Sequence, residues 1–243
     1  MIMTKKIINV NSFSGLVDIY NKYQRNGMII ELESTALLLQ SANFTNEEKA
    51  EILLMGGHQW HLRMSSKKAF RDNILKILAQ AKLWNNNYNS FEDLYKDVDK
   101  LFCKTKYIGP LTKYDIAKRL SNSIMNPCPP STFTYLASHS LDGARILFGE
   151  KVVKKSAISM LIKTAKFTHY FGNMSALDIE NILCINRDKL VFLKKKTTAT
   201  ITIDILQTCH CINVNIKLIK KIQEFFDSIP YVNRDKIRYR KLT

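Results

Sequence analysis

A Gly-Pro pair at residues 109 and 110 places the strongest constraint on the fold of this chain. Because the ring of Pro110 fixes φ and clashes deep inside a helix, no single helix can run through this point. On both sides of the pair, apolar residues recur at helical spacing. The sequence therefore predicts two helices, Ser90–Phe102 and Thr112–Ile124, joined by a tight turn.

The start of the second helix has the features of an anion-binding site. Thr112 is its predicted N-cap, and Asp115 stands at the reciprocal capping-box position. Lys113, Lys118 and Arg119 fall outside the apolar spacing, so we expect them on the other faces of the helix. Free N–H groups at a helix N-terminus, with basic residues around them, favour an anion such as phosphate.

This stretch resembles the helix-hairpin-helix (HhH) DNA-binding element, in which two short helices flank a Gly-containing hairpin whose backbone amides hold DNA phosphates. The resemblance covers residues 90–124. The family hairpin usually carries two glycines two positions apart, and Tyr107 stands where the other glycine would fall. The resemblance implies DNA binding, as in DNA repair and DNA glycosylase-type proteins. It assigns the contact with nucleic acid to Gly109, Pro110, Thr112, Lys113, Lys118 and Arg119.

Net charge independently favours a polyanionic partner. The chain has 37 Lys and Arg against 21 Asp and Glu, a formal charge of +16. Such a surplus binds polyanions because binding releases their counterions. DNA or RNA is the first candidate and an anionic membrane surface the second; a basic protein that is merely solvated is the alternative. The amphipathic helix predicted over Ser65–Lys82 places Lys67, Lys68 and Arg71 away from its apolar stripe, where they can contact phosphates.

Cysteine and histidine spacing predicts neither a metal site nor a cofactor. The five cysteines show no Cys-x-x-Cys spacing, which favours reduced thiols in a cytoplasmic protein. His58 and His61 lack further ligands nearby, and Cys209-His210-Cys211 is interpreted as buried thiols. Met1–Val10 does not read as a signal peptide, and no apolar run reaches the ~18 residues that span a bilayer. We therefore expect a cytoplasmic protein without a membrane partner.

The predicted fold class is mainly α, a multi-helix globular domain that contains the HhH-like hairpin. Further helices are predicted over Ser131–Ser138 and, with a basic face, over Lys151–Lys166. Thr45 and Glu48 form a predicted capping box, and Ser90 and Ser175 are predicted helix caps. Alternation at Thr197–Ile203 favours a small strand near residues 197–205, while helical neighbours leave strand or helix open across 188–211. The chain forms either one domain or a helical domain, 1–185, followed by a helical subdomain with a basic tail, 186–243.

Asp142 is the weak candidate for a catalytic residue. The segment around it groups Ser138, His139, Ser140 and Asp142, but adjacent residues on one turn point in different directions. The structural interpretation has Ser140 capping a helix. HhH-type DNA glycosylases, which the hairpin resembles, carry an aspartate after the hairpin that assists base release. The favoured function is thus a nucleic-acid-binding protein. The alternatives are a DNA-processing enzyme (a base-excision glycosylase or nuclease) and a protein-interaction module of a nucleic-acid-handling complex.

Overall fold

Helices dominate the computed structural model, which describes residues 5–55, 68–106, 108–204, 210–214, 216–229 and 237–241. The predicted mainly α fold class is confirmed. In chain order the elements are β1 (Lys5–Val10), α1 (Phe13–Ile19), a π-helix (Tyr20–Gln24), α2 (Arg25–Gln40), α3 (Asn46–Met55), α4 (Lys68–Ala81), α5 (Phe91–Leu101), α6 (Pro110–Ser121), β2 (Phe133–Ala137), α7 (His139–Phe148), β3 (Ser159–Lys163), α8 (Thr168–Phe171), α9 (Ala176–Ile185), α10 (Arg187–Lys194), β4 (Ala199–Asp204), β5 (His210–Val214), α11 (Ile216–Asp227) and β6 (Ile237–Lys241). Short 3-10 turns at Leu83–Asn85 and Thr164–Phe167 complete the list.

The chain groups into two compact units that interleave along the sequence. Unit 1 contains residues 1–26, 109–114 and 129–208, and unit 2 contains residues 27–108, 115–128 and 209–243. Because compactness within a folded chain does not show which segments fold independently, the predicted boundary at residues 185 and 186 stays a prediction.

In unit 1, β1 and β4 form an antiparallel pair. This pair decides between strand and helix for part of residues 188–211. Ile8 lies opposite Ile201, and Val10 lies opposite Ala199. Along β4, buried residues alternate with exposed threonines, which is the period-two pattern of a sheet with one covered face. Helix α10 precedes this strand and ends at Lys194, so the described residues up to 204 are helix first and strand afterwards, and residues 205–209 lie outside the described part of the chain.

Helices α7, α9 and α10 pack together in unit 1 and form its core with β2 and β4. Gly143 of α7 permits the close approach of α9. A Cβ atom at this position would lie 2.7 Å from the carbonyl oxygen of Leu183, which belongs to the backbone of α9 and has little freedom to move.

A buried carboxylate ties the first residues of the chain to α9. Asp178 accepts a hydrogen bond from the Tyr20 hydroxyl at 3.0 Å and binds Arg25 through both of its oxygens, at 2.9 and 3.2 Å. Its backbone N–H also bonds Ser175 Oγ, which confirms the predicted cap of this helix. Burial, followed by the charge of Asp178, raises the pKa of Tyr20, and the hydrogen bond to Asp178 raises the pKa of Arg25.

Unit 2 is built from the helices that the sequence predicts best. The capping box of α3 is confirmed, because Glu48 N–H donates to Thr45 Oγ1 at 3.3 Å and Thr45 N–H donates to Glu48 Oε2 at 2.8 Å. Ser90 caps α5 in the predicted way. The strands β5 and β6 pair in parallel, so part of the predicted basic tail is a strand.

Two predicted helices are wrong. Residues 131–138 contain the strand β2, and residues 151–166 contain a loop followed by the strand β3, which pairs with β2. Both segments have apolar residues at spacings that fit a helix, but their pairing partner lies about 25 residues away in sequence, beyond the reach of local periodicity. The predicted helix over 151–166 rests on the apolar residues Val152, Val153, Ile158, Leu161 and Ile162, of which only Val153 and Ile162 are buried.

We predict that Gly143→Ala destabilises the protein by about 1–3 kcal/mol, since the added methyl group overpacks the contact of α7 with α9. Urea unfolding measures this change. Gly109→Ala is the matched control, because a Cβ atom there meets nothing within 4 Å. Gly109→Ala should lower the free energy of unfolding by no more than about 1 kcal/mol, the scale of an N-cap substitution. Equal losses in the two variants would contradict the close approach at Gly143.

Candidate nucleic-acid interface

The predicted hairpin forms two helices, with a second helix that begins earlier than expected. Helix α6 starts at Pro110, and Lys113 N–H donates to the carbonyl oxygen of Gly109 at 3.2 Å. Thr112 is therefore a buried first-turn residue, and its predicted capping role is wrong. Proline is favoured at the first helical position, because its missing N–H would have no partner there in any case.

Gly109 stands in open surroundings at this turn. A Cβ atom added to it would meet no heavy atom within 4 Å. Its φ is also not positive, since the positive-φ glycines of the described chain are Gly149 and Gly172. The local backbone thus does not require glycine. The first N–H groups of a helix have no partner within the helix, so the start of α6 offers donors at an uncrowded turn.

Two of the three basic residues assigned to the hairpin are engaged inside unit 2. Arg119 is only 2% exposed; its Nε donates to Glu31 Oε1 and its Nη1 to the carbonyl oxygen of Leu53, both at 2.9 Å. The Lys118 side chain is 13% exposed and lies 3.4 Å from Asp115. The predicted phosphate contact of Arg119 is therefore incompatible with this structure. Lys113 is half-buried and belongs to unit 1.

The basic helix α4 has two described basic side chains, Arg71 and the exposed Lys76. Arg71 lies 3.7 Å from Asp72. Lys67, as well as His58, His61 and Cys209, lies outside the described residues, and only the backbone of Lys68 is described.

Among the described side chains of unit 2, exposed acids and exposed bases are equal in number. Helix α5 exposes three aspartates, Asp93, Asp97 and Asp99. Across the side chains of unit 2 whose burial is described, eight lysines and arginines are exposed against eight aspartates and glutamates. The exposed basic residues are Lys76, Lys82, Lys96, Lys100, Lys104, Lys106, Lys217 and Lys220, and the exposed acids are Glu33, Glu47, Asp72, Asp93, Asp97, Asp99, Glu224 and Asp227.

Unit 1, in contrast, has a strongly positive surface. Ten lysines are exposed against three acids, Asp18, Glu150 and Asp188, within its described side chains. Burial creates part of this excess, because Asp178 and Glu180 lie inside the unit. We call the ten exposed lysines the lysine surface: Lys6, Lys22, Lys151, Lys154, Lys155, Lys163, Lys166, Lys194, Lys195 and Lys196.

Two of the three exposed acids in unit 1 are already paired. Glu150 lies 3.1 Å from Lys155, and Asp188 accepts a hydrogen bond from Arg187 at 2.8 Å. This hydrogen bond lowers the pKa of Asp188. The exposed carboxylates described in unit 1 are therefore too few to offset most of the lysine surface.

Asp142 lies in the first turn of α7, where arginines occupy both of its oxygens. Arg145 binds Oδ1, and Arg187 Nη1 lies 3.7 Å from Oδ2. In this structure the carboxylate is the ion-pair partner of two arginines. Ser140 is buried and bonds the backbone of Ala137 through its hydroxyl, which is a structural role inside the helix rather than at its cap.

The described residues place no group of three or more His, Cys, Asp or Glu side chains in a position to hold a metal ion. Cys103, Cys128 and Cys184 are reduced thiols. In the same part of the chain, every helix is too short or too polar to cross a bilayer. Comparison with models of protein families, with curated protein sequences and with solved structures finds no match.

The lysine surface was not predicted from the sequence. The prediction counted the basic residues and did not identify the acids that become buried on folding. A signal for those acids is present in α9, where Asp178 and Glu180 stand among apolar residues on every side. A helix that is apolar all round is expected to be buried, and it takes its few acids inside with it.

We predict that Arg119→Ala lowers the free energy of unfolding by about 3 kcal/mol, because it leaves the Glu31 carboxylate buried without its guanidinium. Urea unfolding measures the loss, and Lys104→Ala, at an exposed position, should change stability by under about 0.5 kcal/mol. A double-mutant cycle with Glu31→Gln should recover part of the loss. Wild-type stability in Arg119→Ala would show that the buried pair is not formed.

Proposed function

We propose that the protein binds nucleic acid through the phosphate backbone, and that the lysine surface of unit 1 makes the contact. The observation that supports this proposal is the imbalance between ten exposed lysines and three exposed acids on one unit. Among the side chains of unit 2 whose burial is described, exposed bases and exposed acids are equal in number.

Lysine-rich surfaces favour phosphate chains for a simple electrostatic reason. Each lysine that neutralises a phosphate releases counterions from the nucleic acid, and the entropy of this release drives binding. Lysine offers a compact charge on a flexible stem, without the rigid fork that arginine uses to read planar groups. A surface in which all ten exposed cations are lysines therefore fits contacts with phosphates better than the reading of base edges.

The start of α6 adds a second element to the proposal. Gly109 and Lys113 belong to unit 1, and the open turn presents backbone N–H donors of the kind that hold phosphate at helix N-termini. In this form the proposal retains Gly109, Pro110 and Lys113 from the HhH resemblance. It omits Arg119, whose guanidinium is already bound to Glu31.

We predict that Lys154→Gln/Lys163→Gln/Lys166→Gln weakens binding to a labelled DNA duplex by at least about tenfold at low salt. Each phosphate contact contributes about 0.9 to the slope of log K against log salt, so the slope should fall by about 1–3. Fluorescence anisotropy over a salt series measures both quantities.

The control carries the same charge change on unit 2. Lys76→Gln/Lys82→Gln/Lys100→Gln also neutralises three exposed lysines and should change the affinity by less than about threefold. If the affinity of the wild-type protein for the duplex did not depend on salt, this result would contradict the proposed function. Equal weakening by the two triple variants would show that net charge, rather than the lysine surface, controls binding.

A further inference from the structure

Helix α10 is held firmly in unit 1 by its inner face. Leu190 and Leu193 are buried in the core, and the helix packs on α7 and β4. At its end, Lys194 Nζ donates to the carbonyl oxygen of Ile146 at 2.6 Å. The N–H and hydroxyl groups of Thr197 both donate to the carbonyl oxygen of Phe192, at 2.9 and 3.0 Å. These contacts fix the backbone that carries the outer face.

The outer face of α10 presents an aromatic ring to solvent. Phe192 is 47% exposed and its neighbour Val191 is 37% exposed. A single exposed apolar residue needs no explanation, so the surroundings of the ring decide what it means.

Those surroundings are basic. Lys189 precedes Phe192 by three residues within the helix, a separation that brings side chains together, and Lys195 and Lys196 follow the ring by three and four residues in sequence. The helix ends at Lys194, so Lys195 and Lys196 stand at its C-terminal turn. Asp188 stands four residues before the ring, and Arg187 already holds its carboxylate at 2.8 Å.

We infer that Phe192 is a base-stacking platform and that the nucleic acid held by the lysine surface is single-stranded. An aromatic face beside cations that track phosphates is the arrangement by which proteins bind single strands without sequence preference. In a duplex the bases are stacked on one another, and a ring reaches their faces only by unstacking a base step, which costs about a few kcal/mol. This inference rests on the proposed function and names its substrate class.

A protein partner fits this face less well. Only two apolar residues are exposed on α10, and lysines surround them. Lysine is depleted in protein interfaces, because burying a strongly hydrated ammonium group is costly. A phosphate chain keeps those ammonium groups charged and paired.

The test compares three labelled ligands of equal length on the full chain: a short oligothymidylate, a strand of abasic sites and a duplex. The abasic strand keeps the phosphates and removes the bases. We expect wild type to bind oligothymidylate about 5- to 150-fold more tightly than the abasic strand, the range of one base–aromatic stack. Phe192→Ala should remove this preference and leave both the abasic affinity and the salt slope unchanged, whereas Phe192→Trp should keep the preference.

Two matched variants separate stacking from charge. Ile158→Ala removes another exposed apolar side chain, beside Lys154 and Lys155 in sequence, and should leave the preference intact. Lys195→Gln/Lys196→Gln should weaken both single strands and lower the salt slope by about 0.7 per lost contact, with the preference retained.

The outcomes distinguish the inference from the proposed function. Equal, salt-dependent affinity for oligothymidylate and the abasic strand, or tighter binding of the duplex, would overturn the inference and leave phosphate binding in place. Absence of affinity for all three ligands would overturn both. Loss of the preference in Ile158→Ala as well as in Phe192→Ala would show that the ring has no specific role.

Discussion

The buried carboxylate of Asp178 organises unit 1. It sits at the first turn of α9, where its backbone is capped by Ser175, and its oxygens bind Tyr20 and Arg25 from the first residues of the chain. A carboxylate can be buried only when such partners replace its water. The same burial removes a negative charge from the surface and holds the partly exposed Arg25 in place. The contact of Asp178 with Tyr20 and Arg25 therefore contributes both to the stability of unit 1 and to the positive charge of its surface.

The distribution of charge over the folded chain says more about a polyanionic partner than the total charge does. The sequence total of +16 is compatible with a uniformly basic exterior or with a concentrated one. Folding places Asp178 and Glu180 inside unit 1, while it places Arg119 inside unit 2. The burial of the two acids makes the surface of unit 1 more positive, and the burial of Arg119 makes the surface of unit 2 less positive. Since exposed charges separated by more than about 10 Å are largely screened at 0.1 M salt, a polyanion responds to the local excess.

Local chemistry is the part of this fold that the sequence predicts well. The capping box of Thr45 and Glu48 and the caps of Ser90 and Ser175 form as expected, because their partners lie three residues away. Pro110 breaks the helix for an equally local reason. The strands β2 and β3 escaped prediction because their pairing joins residues across the whole of α7. Arg119 was misplaced for a similar reason, since Glu31 lies 88 residues away.

The hairpin and the lysine surface differ in what stands beside their cations. In the helix before the hairpin, α5 exposes Asp93, Asp97 and Asp99, and these carboxylates repel any phosphate that approaches that face. On α10 the exposed carboxylate of Asp188 is already bound by Arg187, and the next exposed side chains along the helix are apolar or basic. The outer face of α10 repels a polyanion less, because it carries one exposed carboxylate and Arg187 holds it. Among the described residues, exposed carboxylates are thus more numerous on the helix before the hairpin than on α10.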